Sequence, residues 1–386
     1  MKVKSRLMDR VPASATLGVA DIARRLENSG RKMIHFELGE PDFTTPENII
    51  QAAYEKMREG KTHYVPSRGI PELCEAIAKH IEDFGIHADP EKNIVVVPGS
   101  KFAIYALLSA TIDPDDEVII VSPSWPSLID IVRIVRGNPV LVPLDGSLHL
   151  DEEKLKKAVT NRTQLLILNS PNNPTGGVLN AHDLGIIRDL AIDEDFLVLS
   201  DEIYKMMVYD GAKHLSPASL PDMLDRTIIV DGFSKTYAMT GWRIAYAIGN
   251  ERIIDNIVKI QENTTTCAVS FAQYAAVEAL NGPQDSVRRM LDEYSQRRNT
   301  AMRLIREMPG VKCVEPSGAF YLFPNVSSFG KPDTDIARDL LESGVSLTAG
   351  TPFGLGGNGH LRISYSTGMA DIVEGMRRMR EYFKSL

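Results

Sequence analysis

Short apolar runs bounded by polar or turn-forming residues recur between about residue 47 and about residue 250. They lie at 94–97, 118–121, 140–142, 165–168, 197–200 and 228–230, with a further run at 244–248. Uninterrupted Val/Ile/Leu runs of this length read as strands covered on both faces. Helical spacing fills the stretches between most of them, and that alternation implies parallel pairing through right-handed crossovers. Two longer helical stretches follow, roughly 251–281 and 284–308, broken at Asn281, Gly282 and Pro283. Beyond them a smaller α+β lobe is expected, carrying GAFYLFPNV at 318–326, PF at 352–353 and HLRISYS at 360–366. Residues 1–30 read as an arm plus a short helix ending near Gly30. The expected organisation is an α/β fold in three parts: 1–45 as arm and part of the small domain, 46–283 as the large domain, 284–386 as the carboxyl-terminal small domain. A ligand is expected between the lobes.

Composition narrows the function classes. In 386 residues, 43% hydrophobic and 24% charged, a substantial core is easily filled. A net charge of −8 argues against an electrostatic nucleic-acid footprint. Cys74, Cys267 and Cys313 are far apart and odd in number, which gives no disulfide framework and points to a reducing compartment. MKVKSRLMDRVPAS lacks the apolar segment of a signal peptide, and no run approaches 18 apolar residues. The expectation is a soluble cytoplasmic protein without membrane or nucleic-acid partners.

The candidate chemistry begins at DGFSKTYAMTGWRIAYAIG, residues 231–249. Lys235 stands in a small polar turn, eight residues before Arg243. A lysine held beside a fixed cation loses proton affinity and can attack a carbonyl. A guanidinium fork suits a phosphate. Amine for an aldehyde plus arginine for a phosphate describes pyridoxal 5′-phosphate (PLP), although a surface lysine and a helix-capping arginine explain this segment equally well. LLILNSPNNPTGG, residues 165–177, ends a strand in a turn carrying Asn173, whose amide can serve an aromatic hydroxyl. An ordinary strand-to-helix connection has the same composition. FLVLSDEIY, residues 196–204, puts Asp201 at a strand end and Tyr204 three residues on. A partly buried carboxylate there would keep a pyridine nitrogen protonated.

The order Asn173, Asp201, Tyr204, Lys235, Arg243, with a late Arg362 in GHLRISYS, resembles the class I aminotransferases of PLP fold type I. SKTYAMTGWRIAY, residues 234–246, is similar to the prokaryotic aspartate and aromatic aminotransferase branch, and the likeness runs from FELGEPDF at 36–43 to the late arginine. The resemblance implies a mainly parallel seven-stranded large domain beside a smaller α+β domain. It implies ping-pong transfer of an amino group from an L-amino acid to a 2-oxo acid, with 2-oxoglutarate the expected acceptor, in a homodimer. By the same resemblance Lys235 is the Schiff-base lysine and proton carrier, Asp201 the partner of the ring nitrogen, and Tyr204 and Asn173 partners of the ring hydroxyl. Ser100, Lys101, Ser234 and Arg243 resemble the phosphate ligands, Ser100 and Lys101 opening a helix where free N–H groups favour an anion. Trp125 matches the aromatic stacked on the ring, Gly39 and Arg362 the groups holding the substrate α-carboxylate, and Tyr64 a tyrosine reaching the neighbouring subunit's phosphate. One departure stands out: Gly232 occupies a position, three before the lysine, where many relatives carry serine.

The same sequence admits other readings. Gly354, Gly356 and Gly359 spell G-x-G-x-x-G, but the segment runs into a strand-like sequence rather than a helix, against a dinucleotide site. LVLSDE resembles a nucleotide-hydrolase strand, yet no G-x-x-x-x-G-K-[ST] accompanies it. The histidines show no metal-ligand spacing. A β-lyase or decarboxylase of the same fold shares the cofactor residues, and a PLP-binding regulator would need an attached DNA-binding module that the sequence does not show. A dicarboxylate substrate would need a second cation for its distal carboxylate, often from the partner subunit, for which Lys101, Arg68 and Arg24 are the candidates.

Overall fold

The computed structural model describes residues 3–9, 11–13 and 15–386. Met1, Lys2, Arg10 and Ser14, part of the expected amino-terminal arm, lie outside them. The apolar runs become one seven-stranded sheet among the described residues. Its spatial order is Ile94–Val97, Ala245–Ile248, Thr227–Gly232, Leu197–Asp201, Thr163–Asn169, Glu117–Ser122, Asn138–Pro143. Each strand lies within two residues of the run that predicted it. Burial explains the legibility: Ile94–Val97, Glu117–Ser122, Thr227–Gly232 and Ala245–Ile248 are buried along their whole length. Side-chain alternation then splits each strand between two cores. Ile94 and Val96 pack into one apolar cluster, Val95 and Val97 into another.

Ala245–Ile248 is the exception to the parallel arrangement, running antiparallel to both neighbours. Only a loop with one 3₁₀ turn, Thr240–Trp242, separates it from Thr227–Gly232, without the α-helix that usually carries the chain across a sheet face between parallel strands. That loop holds Ser234, Lys235 and Arg243. The stretch expected as one helix over 251–281 is two, Glu251–Glu262 and Ser270–Asn281. Asn263 Nδ2 donates to the Lys259 carbonyl (2.8 Å) and Thr264 Oγ1 to that of Ile260 (2.6 Å). These local bonds, in a run of β-branched threonines with Thr266 at φ +66°, end the first helix. The next helix runs Asp285–Arg306, starting just after Gly282 and Pro283.

A second layer comes from the chain termini. Tyr321–Leu322, Leu361–Ser364 and Thr348–Ala349 form a small antiparallel sheet, and Ile34–His35 pairs in parallel with Val345–Ser346. The amino-terminal segment is thus hydrogen-bonded into the carboxyl-terminal part. Two buried arginines of Asp285–Arg306 brace this arrangement. Arg297 bonds Asp42 at 2.7 Å, and Arg298 pairs with Asp210 and donates to the Pro316 carbonyl (3.2 Å). Paired and hydrogen-bonded, these buried charges hold three separate segments in register.

The helix Ala15–Asn28 is tied down by His35. Its Nδ1 lies 2.8 Å from buried Glu37 and its Nε2 3.0 Å from Glu27 on that helix. The hydrogen bond to Glu37 is the largest influence on the imidazole; burial opposes it, and the net result is a pKa raised to about 9. A raised folded-state pKa means the contribution is complete below the unfolded value near 6.5 and is lost as pH rises through about 9. The stability advantage of the native chain over His35→Ala should therefore shrink steadily between those pH values in thermal melts. A constant difference from pH 6 to pH 10 would contradict it.

Candidate active site

The carboxyl ends of the central strands open onto a cavity of about 440 Å³ between the sheet and the small terminal sheets. Gly39, Ser100, Lys101, Trp125, Asn173, Asp201, Tyr204, Ser234, Lys235, Arg243 and Arg362 all line it. Tyr64 does not, and stands 85% exposed elsewhere on the surface. The remaining site residues are brought together from strand ends and loops spread over more than 300 positions of sequence.

One asparagine organises the floor. Asp201 ends its strand opposite Asn169 in the register, and Asn169 Nδ2 donates to the Asp201 carbonyl at 3.0 Å. Asn169 Oδ1 accepts from the Asn173 N–H at 2.8 Å, so the side chain joins two strand ends to the NNPT turn. Asn172 Oδ1 fixes the turn from the other side by accepting from Thr175 N–H and hydroxyl. Asn173 Oδ1 accepts from Arg362 Nη1 at 3.2 Å, which leaves its NH₂ as the donor available to a ligand. Asn169 went unread in the sequence, where it looks like the last residue of an apolar strand.

The charged groups of the floor are held out of water. The Asp201 carboxyl is buried, with one weak contact, a 3.4 Å bond from the Ile203 N–H. Burial chiefly, with Asp231 and Glu202 adding smaller effects, pushes it up to about 7. Lys235 is pulled down to about 8, again mainly by burial. Neighbouring cations, expected from the sequence to depress the amine, are a minor cause: Arg362 and Arg243 lower it further, while Glu40 raises it. Lys235 Nζ donates to the Gly39 carbonyl and lies 5.9 Å from the Tyr204 ring centre. The Tyr204 and Tyr321 hydroxyls are 2.7 Å apart. Tyr321 is a second missed residue, indistinguishable in GAFYLF from core. It also explains Gly39, where a Cβ would stand 2.5 Å from the Tyr321 hydroxyl.

An anion cradle adjoins this floor. Gly99, at φ +97°, turns the chain from Ile94–Val97 into the helix Ser100–Thr111, whose first turn has no side-chain cap. Its missing Cβ matters twice, since one there would lie 2.3 Å from Arg243 Nη2. The guanidinium therefore lies against the start of a helix with unsatisfied N–H groups, an arrangement suited to phosphate. Arg243 itself adopts φ +54° and donates from Nη1 to the Thr240 carbonyl at 2.9 Å. Lys101 Nζ lies 4.6 Å from the Trp125 ring centre, and burial lowers its proton affinity. Arg362 is buried, with Nη2 on the Glu37 carbonyl and its Nε without a protein partner. Of the three candidate distal cations, Arg24 and Lys101 line the cavity, whereas Arg68 is committed to Asp255 and to the Lys92 and Ile94 carbonyls.

A family model for aminotransferase class I and II matches residues 31–378. The chain belongs to that family. It is 41% identical over 390 residues to an aspartate aminotransferase of Pyrococcus abyssi, covering 100% of this chain and 99% of the relative. It is 40% identical to an asparagine–oxo-acid transaminase of Streptococcus mutans, over 98% and 99% of the two chains. The solved aspartate aminotransferase of Thermus thermophilus with maleate superposes with a TM-score of 0.94 at 36% identity, covering 99% of this chain and 100% of that one. The family is PLP-dependent, and the chain is an aminotransferase of the aspartate aminotransferase fold.

Gly232 has a local steric reason. It is the register partner of Ala245 across two antiparallel strands, and a Cβ at 232 would lie 2.7 Å from the Ala245 Cβ and 2.8 Å from its Cα. Such contacts are much closer than the usual cross-strand Cβ separation of about 4.5–5.5 Å. Gly232→Ser should cost about 1–3 kcal/mol, the range for overpacking, measured by denaturant unfolding of the cofactor-free protein. Unchanged stability would mean that the strands separate without cost and that the steric account is wrong.

Proposed function

We propose that this aminotransferase holds PLP in the cavity at Lys235 and transfers the amino group of L-aspartate, or a close relative of it, to 2-oxoglutarate. The observation that carries the reading is the convergence of a buried amine, a buried and nearly unpartnered carboxyl, and an arginine-flanked helix start on one cavity. These residues fit the cofactor. The helix start at Ser100 and Lys101, with Ser234 and Arg243, would hold the phosphate. Asp201 would face the ring nitrogen, Tyr204 and Asn173 the ring hydroxyl, and Trp125 the ring face. When bound, PLP supplies an aldehyde for amines and an electron-accepting ring.

The chain's own residues account for the rest. Lys235, with a pKa near 8, spends an appreciable fraction of time as the neutral amine at neutral pH. It can therefore attack a carbonyl and later carry a proton to and from the substrate Cα. Asp201, with proton affinity raised by burial, keeps a proton at the ring nitrogen. Its carboxylate is more stable once that cationic partner is in place. Arg362, with Gly39 beside it, grips the α-carboxylate; the fork geometry is two-pronged and the surroundings are dry. Lys101 and Arg24 remain as partners for a second carboxylate. A dicarboxylate substrate is consistent with the maleate bound by the Thermus thermophilus relative. The same cavity serves both half-reactions, giving ping-pong kinetics.

The active unit in this reading is a homodimer in the cytoplasm. Tyr64 supports it: a tyrosine 85% exposed, outside the cavity, has a use if it serves a neighbour's phosphate. Next to Arg243, an apolar surface hollow lined by Phe43, Trp242, Val269 and Phe271 offers a face for such a neighbour. Mixed Tyr64→Phe and Lys235→Ala chains test cofactor site, activity and assembly together. Hybrid dimers contain one site with both lesions and one with neither, so aspartate–2-oxoglutarate turnover at limiting PLP should partly return. Absence of recovery in verified hybrids, or a monomer in sedimentation at assay concentration, would refute the shared site. Lack of aspartate–2-oxoglutarate turnover in the native protein would refute the substrate assignment.

A further inference from the structure

Behind the cavity floor lies a second set of buried ionisable groups that the transfer chemistry leaves unused. Successive side chains of a strand point to opposite faces, so Ser200 and Glu202 flank Asp201 on the far side. Ser200 Oγ donates to Glu202 Oε1 at 2.9 Å, and Ser216 Oγ donates to the same oxygen at 2.6 Å. His214 Nε2 lies 3.0 Å from Glu202 Oε2. On the neighbouring strand, Val230 is the register partner of Asp201, and Asp231 follows it. The Asp231 carboxylate takes an ion pair from Lys205 Nζ at 2.7 Å and a hydrogen bond from the Tyr246 hydroxyl at 2.7 Å. Both charged side chains are buried, at 4% and 5% exposure. Lys205 also donates to the Tyr246 hydroxyl (3.3 Å) and sits 4.6 Å from the Phe84 ring centre.

A buried ion pair is weak evidence of stability in itself, since desolvating two charges offsets much of their attraction. Its position is the informative feature. Asp231 is one register step from Asp201, and its negative charge raises the proton affinity of that carboxyl. The Lys205 ammonium is the direct cationic partner of Asp231 among the described residues. We propose that Lys205 is a positioning residue for Asp201: its ammonium neutralises the Asp231 carboxylate behind the cavity floor, so that the strand end presents one negative group to the cofactor rather than two. The proposal rests on the reading of Asp201 as the group facing the ring nitrogen. The other charged or titratable neighbours are Glu202, paired with His214 and also reached by the Lys205 charge, His80 and Tyr237 beside the Lys205–Asp231 pair, then Lys235 and Tyr204 beside the cavity, and Tyr321 beyond Tyr204.

The test uses the full-length, cofactor-free protein, so it fails or succeeds independently of PLP chemistry. The infrared carboxyl band of Asp201, assigned by its disappearance in Asp201→Asn, is followed against pH. In the native chain its midpoint should lie near 7. Lys205→Met should move the midpoint up by about one pH unit, a tenfold change in the protonation equilibrium. Asp231→Asn should move it down, and the double variant Lys205→Met/Asp231→Asn should return it close to the native value. The double variant removes both charges together, and with Asp231→Asn it keeps the test decisive if Lys205→Met folds poorly. A native midpoint in Asp231→Asn, or a double variant that titrates like Lys205→Met, would overturn the proposal.

Discussion

The site depends on keeping a carboxyl and an amine out of water within the same cavity. Burial is the largest cause of both shifts, upward for Asp201 and downward for Lys235. Each group is thereby moved toward neutrality, Lys235 to near 8 and Asp201 to near 7, where proton transfer at physiological pH is easiest. Neither shift would survive at an exposed position, where water stabilises charge. The fold supplies the dryness: parallel strands buried on both faces end together, and the small terminal sheets cover the ends. Arg297 and Arg298 hold that cover by bonding Asp42, Asp210 and the Pro316 carbonyl.

The strands were legible because buried strands in a doubly covered sheet must be continuously apolar. Where the requirement weakened, legibility did too. The direction of Ala245–Ile248 is not written in its own residues but in the lack of a crossover helix before it, and the break at Asn263–Thr266 follows from local side-chain bonds that no hydrophobic period reports. The charged and polar candidates were singled out because a resemblance attached roles to their order, and the structure brings all but Tyr64 of them to one cavity. Asn169 and Tyr321 were not readable. Their contributions, a bridge between strand ends and a hydroxyl pair with Tyr204, arise only once distant segments meet.

Glycine carries several of the closest approaches. Gly99 admits the Arg243 guanidinium to the helix start, Gly39 admits the Tyr321 hydroxyl, and Gly232 admits Ala245 from the adjacent strand. In each case the missing Cβ sets a distance between functional or structural groups that any other residue would lengthen. The glycine at 232 is therefore matched by its surroundings.

In the proposed function, Lys235 is the amine that engages the cofactor. Borohydride reduction of the protein with PLP fixes the cofactor to whichever lysine holds it, and peptide mapping identifies that lysine. One labelled peptide is expected, carrying Lys235 within GFSKTYAM. A label on Lys101, on Lys205 or on a surface lysine, with Lys235 unmodified, would contradict it.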